Sequence, residues 1–140
     1  MSLLIHNTII SPPPVKAKPE IDTDLLTAIQ PGVLEDGYIY VHCHCKNPGD
    51  ELLIRIWRTT FLIDAVSNSR TQLIHAENIS FAPQWTLVPR KGIHNFLLVF
   101  GSLHSSCKNF DLVEEISQPG GFEVRSIPRN ESDVYHIHLL

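Results

Sequence analysis

The sequence predicts an all-β fold, an antiparallel β-sandwich or barrel of roughly seven or eight short strands, and three observations carry that reading. Residues 38–46 alternate strictly between two faces, as a strand does. Turn residues recur every ~8–12 positions from residue 47 onward. No recurring amphipathic helical pattern separates the strands, so βαβ units are excluded.

Taken in order, residues 1–20 read as an extended arm. Ser11-Pro12-Pro13-Pro14 and Val15-Lys16-Ala17-Lys18-Pro19 favour polyproline II or coil, and Leu3 to Ile10 has the makings of a short edge strand. Residues 21–140 then form the domain. Asp22-Thr23-Asp24 followed by Leu25 to Ile29 allows one short helix stopped at Pro31-Gly32, or a strand entering a turn. After Tyr38 to Lys46, Asn47-Pro48-Gly49-Asp50 is a turn. Glu51 to Asp64 is too long for one strand, which predicts a bulge or bend near Arg58-Thr59. Arg70 to Asn78 and the short Trp85 to Val88 follow. Ile93 to Phe100 is apolar on both faces at its centre, as a strand covered on both sides must be. Asn109 to Ile116 and Phe122 to Ile127 flank Gln118-Pro119-Gly120-Gly121 as a hairpin, and Val134 to Leu139 is the last strand. The large aromatic residues, Trp57 and Trp85 among them, read as core material.

Composition bounds the function. The 140 residues suit one domain, and 43% apolar residues exclude a disordered chain. A net charge of −4, with eleven scattered Lys and Arg, argues against a nucleic-acid partner. The longest strongly apolar stretch, Phe96 to Phe100, is far short of the ~20 residues a membrane helix needs. The N-terminus lacks the basic start of a signal peptide, and Cys43, Cys45 and Cys107 make no disulfide framework. A cytoplasmic protein with reduced thiols is expected.

The eye-catching segment is Tyr38-Ile39-Tyr40-Val41-His42-Cys43-His44-Cys45. Strand geometry splits it. Ile39, Val41, Cys43 and Cys45 share the more apolar face and belong in the core, while Tyr38, Tyr40, His42 and His44 project outward or into a cleft. One metal site built from all four His and Cys is therefore excluded. His136 and His138 form a second same-face pair on the last strand. Were the two strands neighbours, four imidazoles would share a face able to take Zn²⁺ or Ni²⁺. The plainer reading is that solvent-facing positions happen to be histidine. Tyr38, Tyr40, His42, His44, His136 and His138 are thus the candidate ligand-binding residues.

A cupin-like metal enzyme is the alternative. His42 and His44 supply the H-x-H pair and Glu51 follows, while Pro89 to His94 loosely echoes the second stretch. The spacings miss, and the ligands would have to line the interior. Other chemistry lacks partners. Ser105-Ser106-Cys107 is no nucleophile elbow, Glu114 and Glu115 face opposite ways, and no phosphate loop or dinucleotide fingerprint is present. No catalytic residue, metal or cofactor is expected.

Thr59 to Asp64, Leu73 to Ile79, Phe110 to Glu114 and Pro119-Gly120-Gly121-Phe122 resemble small bacterial proteins and domains of unknown function with an immunoglobulin-like β-sandwich. The likeness spans about residues 37–140. It implies the immunoglobulin-like form of the sandwich and carries no activity with it. The function expected is a non-catalytic module that binds a protein partner or another copy of itself, with residues 3–10 as a strand donor.

Overall fold

In the computed structural model, residues 8–10 and 37–139 are described. They form ten strands: β1 (Thr8–Ile10), β2 (Ile39–Lys46), β3 (Leu52–Ile54), β4 (Thr60–Asp64), β5 (Arg70–Glu77), β6 (Thr86–Val88), β7 (Ile93–Phe100), β8 (Asn109–Glu114), β9 (Glu123–Pro128) and β10 (Val134–Leu139). The described residues include no α-helix, and none is therefore long and apolar enough to cross a membrane. The candidate helix at residues 22–29 and most of the Pro-rich arm lie outside the described residues.

Eight strands form one sheet in the order β1-β10-β2-β7-β5-β4-β8-β9, and β3 pairs with β6 beside it. Arg70 to Gln72 of β5 pair with β4, whereas Leu73 to Glu77 pair with β7. A register shift between Leu73 and His75 bends the strand where it changes partner. The sheet therefore curls into a half-barrel. Phe110 of β8 meets Tyr135 of β10 edge-to-face, ring centroids 5.0 Å apart, although four strands separate β8 from β10 in the order.

Two expectations need correction. The sheet is mixed, because β10 runs parallel to β2, and ten strands replace seven or eight. One continuous sheet curls around the core because β5 pairs with β4 at one end and with β7 at the other. The bend expected near Arg58 is present, between β3 and β4.

The core lies inside the curl. Ile39, Val41, Cys43 and Cys45 of β2 sit there, at most 1% exposed, with Phe96, Leu98 and Phe100 of β7 and with Leu62, Phe110 and Leu112 from the far half. The alternation assigned those β2 residues correctly. A smaller second cluster covers the other face, built from Tyr38, Tyr40, Leu97, Val99 and Val134 with Ile74 against it. Phe96 to Phe100 are all buried, as a doubly covered strand requires. Tyr38 and Tyr40 lie on the face opposite that core, as expected, and are only 1% exposed.

Glu114 is buried too. Its carboxylate accepts from the backbone N–H of Trp57 at 3.0 Å and of Phe122 at 3.3 Å, tying the β3–β4 bend to the start of β9. Glu115 faces the opposite way and pairs with Arg70. Beside them, a Cβ on Gly121 would stand 2.7 Å from the Glu114 carbonyl oxygen, which only glycine permits. Trp85 is not core: it is 37% exposed and lies 4.0 Å from the Arg55 guanidinium, on the same side of β3–β6 as the exposed pair Leu53 and Leu87.

Candidate functional site

The two histidine pairs lie side by side. The parallel β2–β10 ladder sets His136 opposite His42 and His138 opposite His44, in register along the outer face. Each opposed pair stacks, His42 on His136 with centroids 4.8 Å apart and His44 on His138 with centroids 4.9 Å apart, the strand spacing itself.

His44 and His136 are joined differently. Their planes differ by 5° and their centroids are 5.3 Å apart, while His44 Nε2 lies 3.0 Å from His136 Nδ1. The N···N separation plus two ring radii accounts for the whole centroid spacing. The rings therefore meet edge to edge in one plane, along an N–H···N hydrogen bond. His44 Nδ1 lies 2.9 Å from Asn95 Oδ1 on β7. With the amide oxygen facing the ring, Nδ1–H donates to it and Nε2 accepts from His136 Nδ1–H. A relay thus runs from β10 through β2 to β7.

This arrangement suits protons better than metal ions. Stacked rings aim their nitrogens sideways instead of at a common point, and both His44 nitrogens are engaged. Among the described residues no three His, Cys, Asp or Glu side chains converge as a metal site. The cupin-like set does not assemble either. His94 is the register partner of Cys45, which puts it on the face opposite His42 and His44, where its Nε2–H donates to the Asn78 carbonyl at 2.6 Å. Glu51 is exposed in the turn before β3. Burial pushes the Cys43 and Cys45 thiols up, so they are inert core groups and not thiolate ligands.

Protonation of His42 is opposed from within. Burial first, and His44 second, hold His42 below the ordinary histidine value of about 6.5. Two imidazoliums ~5 Å apart repel by roughly 1 kcal/mol in water and by more where half-buried. The outer end of the face opens into a pocket of about 210 Å³ lined by His44, Lys46, Ile93, His138, Cys45 and Leu139.

β10, which carries half of this ladder, is also close to one edge of the main sheet. Among the described residues only β1 lies beyond it, pairing with Ile137 to Leu139. The Val134 carbonyl is capped by Asn130 Nδ2 at 2.9 Å. No residue of β10 or β1 is charged or proline.

The in-register parallel pair is what sequence reasoning could not supply, since nothing local links segments 92 positions apart. Asn95 was likewise missed, and only the β2–β7 register reveals it. Compared with protein-family models, curated proteins and solved structures, the chain matches none.

Proposed function

We propose that this protein is a non-catalytic binding module that accepts a β-strand on the outer edge of β10, and that the strand it accepts is β1 of another copy. The observation that carries this reading is the contrast between the sheet's two ends. β9 carries a bulge, a proline and paired charges that oppose strand addition, whereas β10 is uncharged and unbulged, and among the described residues three of β1 pair with half its length. Residues 11–36 tether β1, and 26 residues fully extended reach ~90 Å, enough to serve a neighbouring copy as easily as its own sheet.

The immunoglobulin-like reading of the fold belongs to the same proposal. Burial of one large core inside the curled sheet supports it, and the parallel pair and the continuous sheet are its departures. A reducing, cytoplasmic setting is proposed on the strength of three buried free cysteines.

Sedimentation velocity over a hundredfold concentration range, on the full chain and on a chain lacking residues 1–10, tests the exchange. The full chain should form dimers that the shortened chain cannot form by the same route. If both run as identical monomers throughout, exchange of β1 is wrong.

A further inference from the structure

Arg70 pairs with Glu115, Arg90 with Asp50, Arg125 with Asp111 and Glu123, and Arg129 with Asp133. Among the described residues Arg55 and Arg58 pair with no carboxylate, although the chain carries a net charge of −4. Both lie instead against aromatic rings at β3–β6. We infer that the outer face of this pair is a docking surface for an acidic segment of a partner protein. The segment it fits is extended, with a carboxylate and an apolar side chain two residues apart. This surface does not depend on strand exchange, since β3 and β6 lie outside the eight-stranded sheet.

Strand alternation builds the face. Leu53, Arg55 and Trp57 share the side of β3 that turns away from Ile54 and Ile56, both fully buried. On β6 the register sets Leu87 opposite Leu53, and one step further along Trp85 comes across from Arg55. Leu53 is 49% and Leu87 51% exposed. The Arg55 guanidinium carbon lies 4.0 Å from the Trp85 ring centroid and 5.1 Å from that of Trp57, so the cation packs against both indoles. Its Nη1–H donates to the Pro83 carbonyl at 3.2 Å, which fixes the plane of the group. Arg58 stands 4.0 Å from the Phe81 ring centroid, at the start of the same 81–85 segment.

A guanidinium stacked on rings keeps its in-plane N–H groups for a ligand, and its fork matches a carboxylate. Arg55 Nε and Trp57 Nε1 are buried donors with no acceptor among the described residues, so the cluster gains by receiving one. The neighbouring acids are engaged elsewhere. Glu115 is with Arg70, and Glu114 accepts from the backbone N–H groups of Trp57 and Phe122. Glu51, on the Arg55 side of the strand, is four residues away, ~13 Å along β3. Same-face side chains of an extended ligand recur every ~6.7 Å, which is also the step from Arg55 to Leu53. A carboxylate at Arg55 therefore sets the ligand's next same-face side chain over Leu53 and Leu87, where an apolar group buries surface. Tryptophan and arginine are also the residues that binding hot spots concentrate.

The chain's two tryptophans are Trp57 and Trp85, so the intrinsic fluorescence of the full chain reads this surface directly. The probe is a blocked peptide repeating Glu-Ser-Leu-Ser, and its charge-reversed control repeats Lys-Ser-Leu-Ser. The acidic peptide should give a change that saturates below ~1 mM, and the basic one none. Arg55→Gln should weaken binding about tenfold. Arg58→Gln, an exposed position, should weaken it about threefold and serves if Arg55→Gln does not fold. In isotope-labelled full chain the indole N–H signals of Trp57 and Trp85 should move while residues 134–139 stay in place. Equal response to both peptides, undiminished binding in both variants, or no saturation at millimolar peptide overturns the surface. Shifts confined to residues 134–139 put the peptide on the β10 edge and overturn it too, while leaving the strand-accepting reading intact. Fluorescence that changes with protein concentration alone, with dimers that Arg55→Gln abolishes, gives the face to a second copy and overturns the acidic partner.

Discussion

β9 closes one end of the main sheet with an extra residue, a proline and paired charges, whereas β10, next to β1 at the other end, carries no Asp, Glu, Lys, Arg or proline. Between Phe110–Leu112 of β8 and Val124–Ile127 of β9 the register shifts, leaving one additional residue on β9. Ser126 sits there at φ 56°, with its N–H bonded to Asp111 Oδ1 at 2.8 Å. Arg125 reaches both Glu123 at 2.6 Å and Asp111 at 3.1 Å, and Pro128 removes a donor from the strand's end. Each device prevents a further strand from pairing. β10 has none of them. Among the described residues, β1 is the strand that pairs with β10 on that side.

The comparison can be broken at either end. The largest effect is expected where β9 is anchored. Glu114→Ala leaves the Trp57 and Phe122 N–H groups without their buried acceptor and should cost about 2–4 kcal/mol in urea denaturation. A cost below ~1 kcal/mol would mean that water replaces the carboxylate and that β9 is less firmly tied than the geometry implies.

A smaller effect is expected at the histidine end. His42 is held below its unfolded value, so between that lowered value and about pH 6.5 the unfolded chain binds more protons. The penalty is complete below the folded value and disappears as pH rises to 6.5. Stability should therefore rise with pH across this window and then level, by ~0.5 kcal/mol once solvent screening of a half-exposed group is allowed for. His42→Asn should flatten the slope, as urea midpoints at pH 5 and pH 7.5 would reveal.

The smallest effect belongs to the β9 bulge. Ser126→Gly relieves a left-handed backbone and should stabilise by ~0.5 kcal/mol, its gain reduced by glycine's extra unfolded-state entropy. Thermal melts resolve that difference. Destabilisation instead would show that the Ser126 side chain contributes more than its backbone costs.

Much of the fold was legible because strands announce themselves locally. The bounds of β7 and β10 and the inward face of β2 follow from alternation and turn residues alone. What depends on distant pairing was not legible. The parallel partnership of β2 and β10, the curl at β5 and the sequestration of Glu114 each join segments far apart in sequence. The burial of Tyr38 and Tyr40 was not legible for a related reason: alternation gives the face of a side chain but not how far that face is covered. For the candidate site, the residues were in view and their assembly was not. His42, His44, His136 and His138 were all singled out, yet the ladder exists only in the β2–β10 register.

The most direct test uses a peptide of residues 2–11 and isotope-labelled protein lacking residues 1–10, followed by amide chemical shifts. If β10 is the strand-accepting edge, saturable shifts should map to residues 134–139 and their β2 partners and leave residues 123–128 of β9 unmoved. Shifts confined to β9, or none on either edge at millimolar peptide, would contradict it.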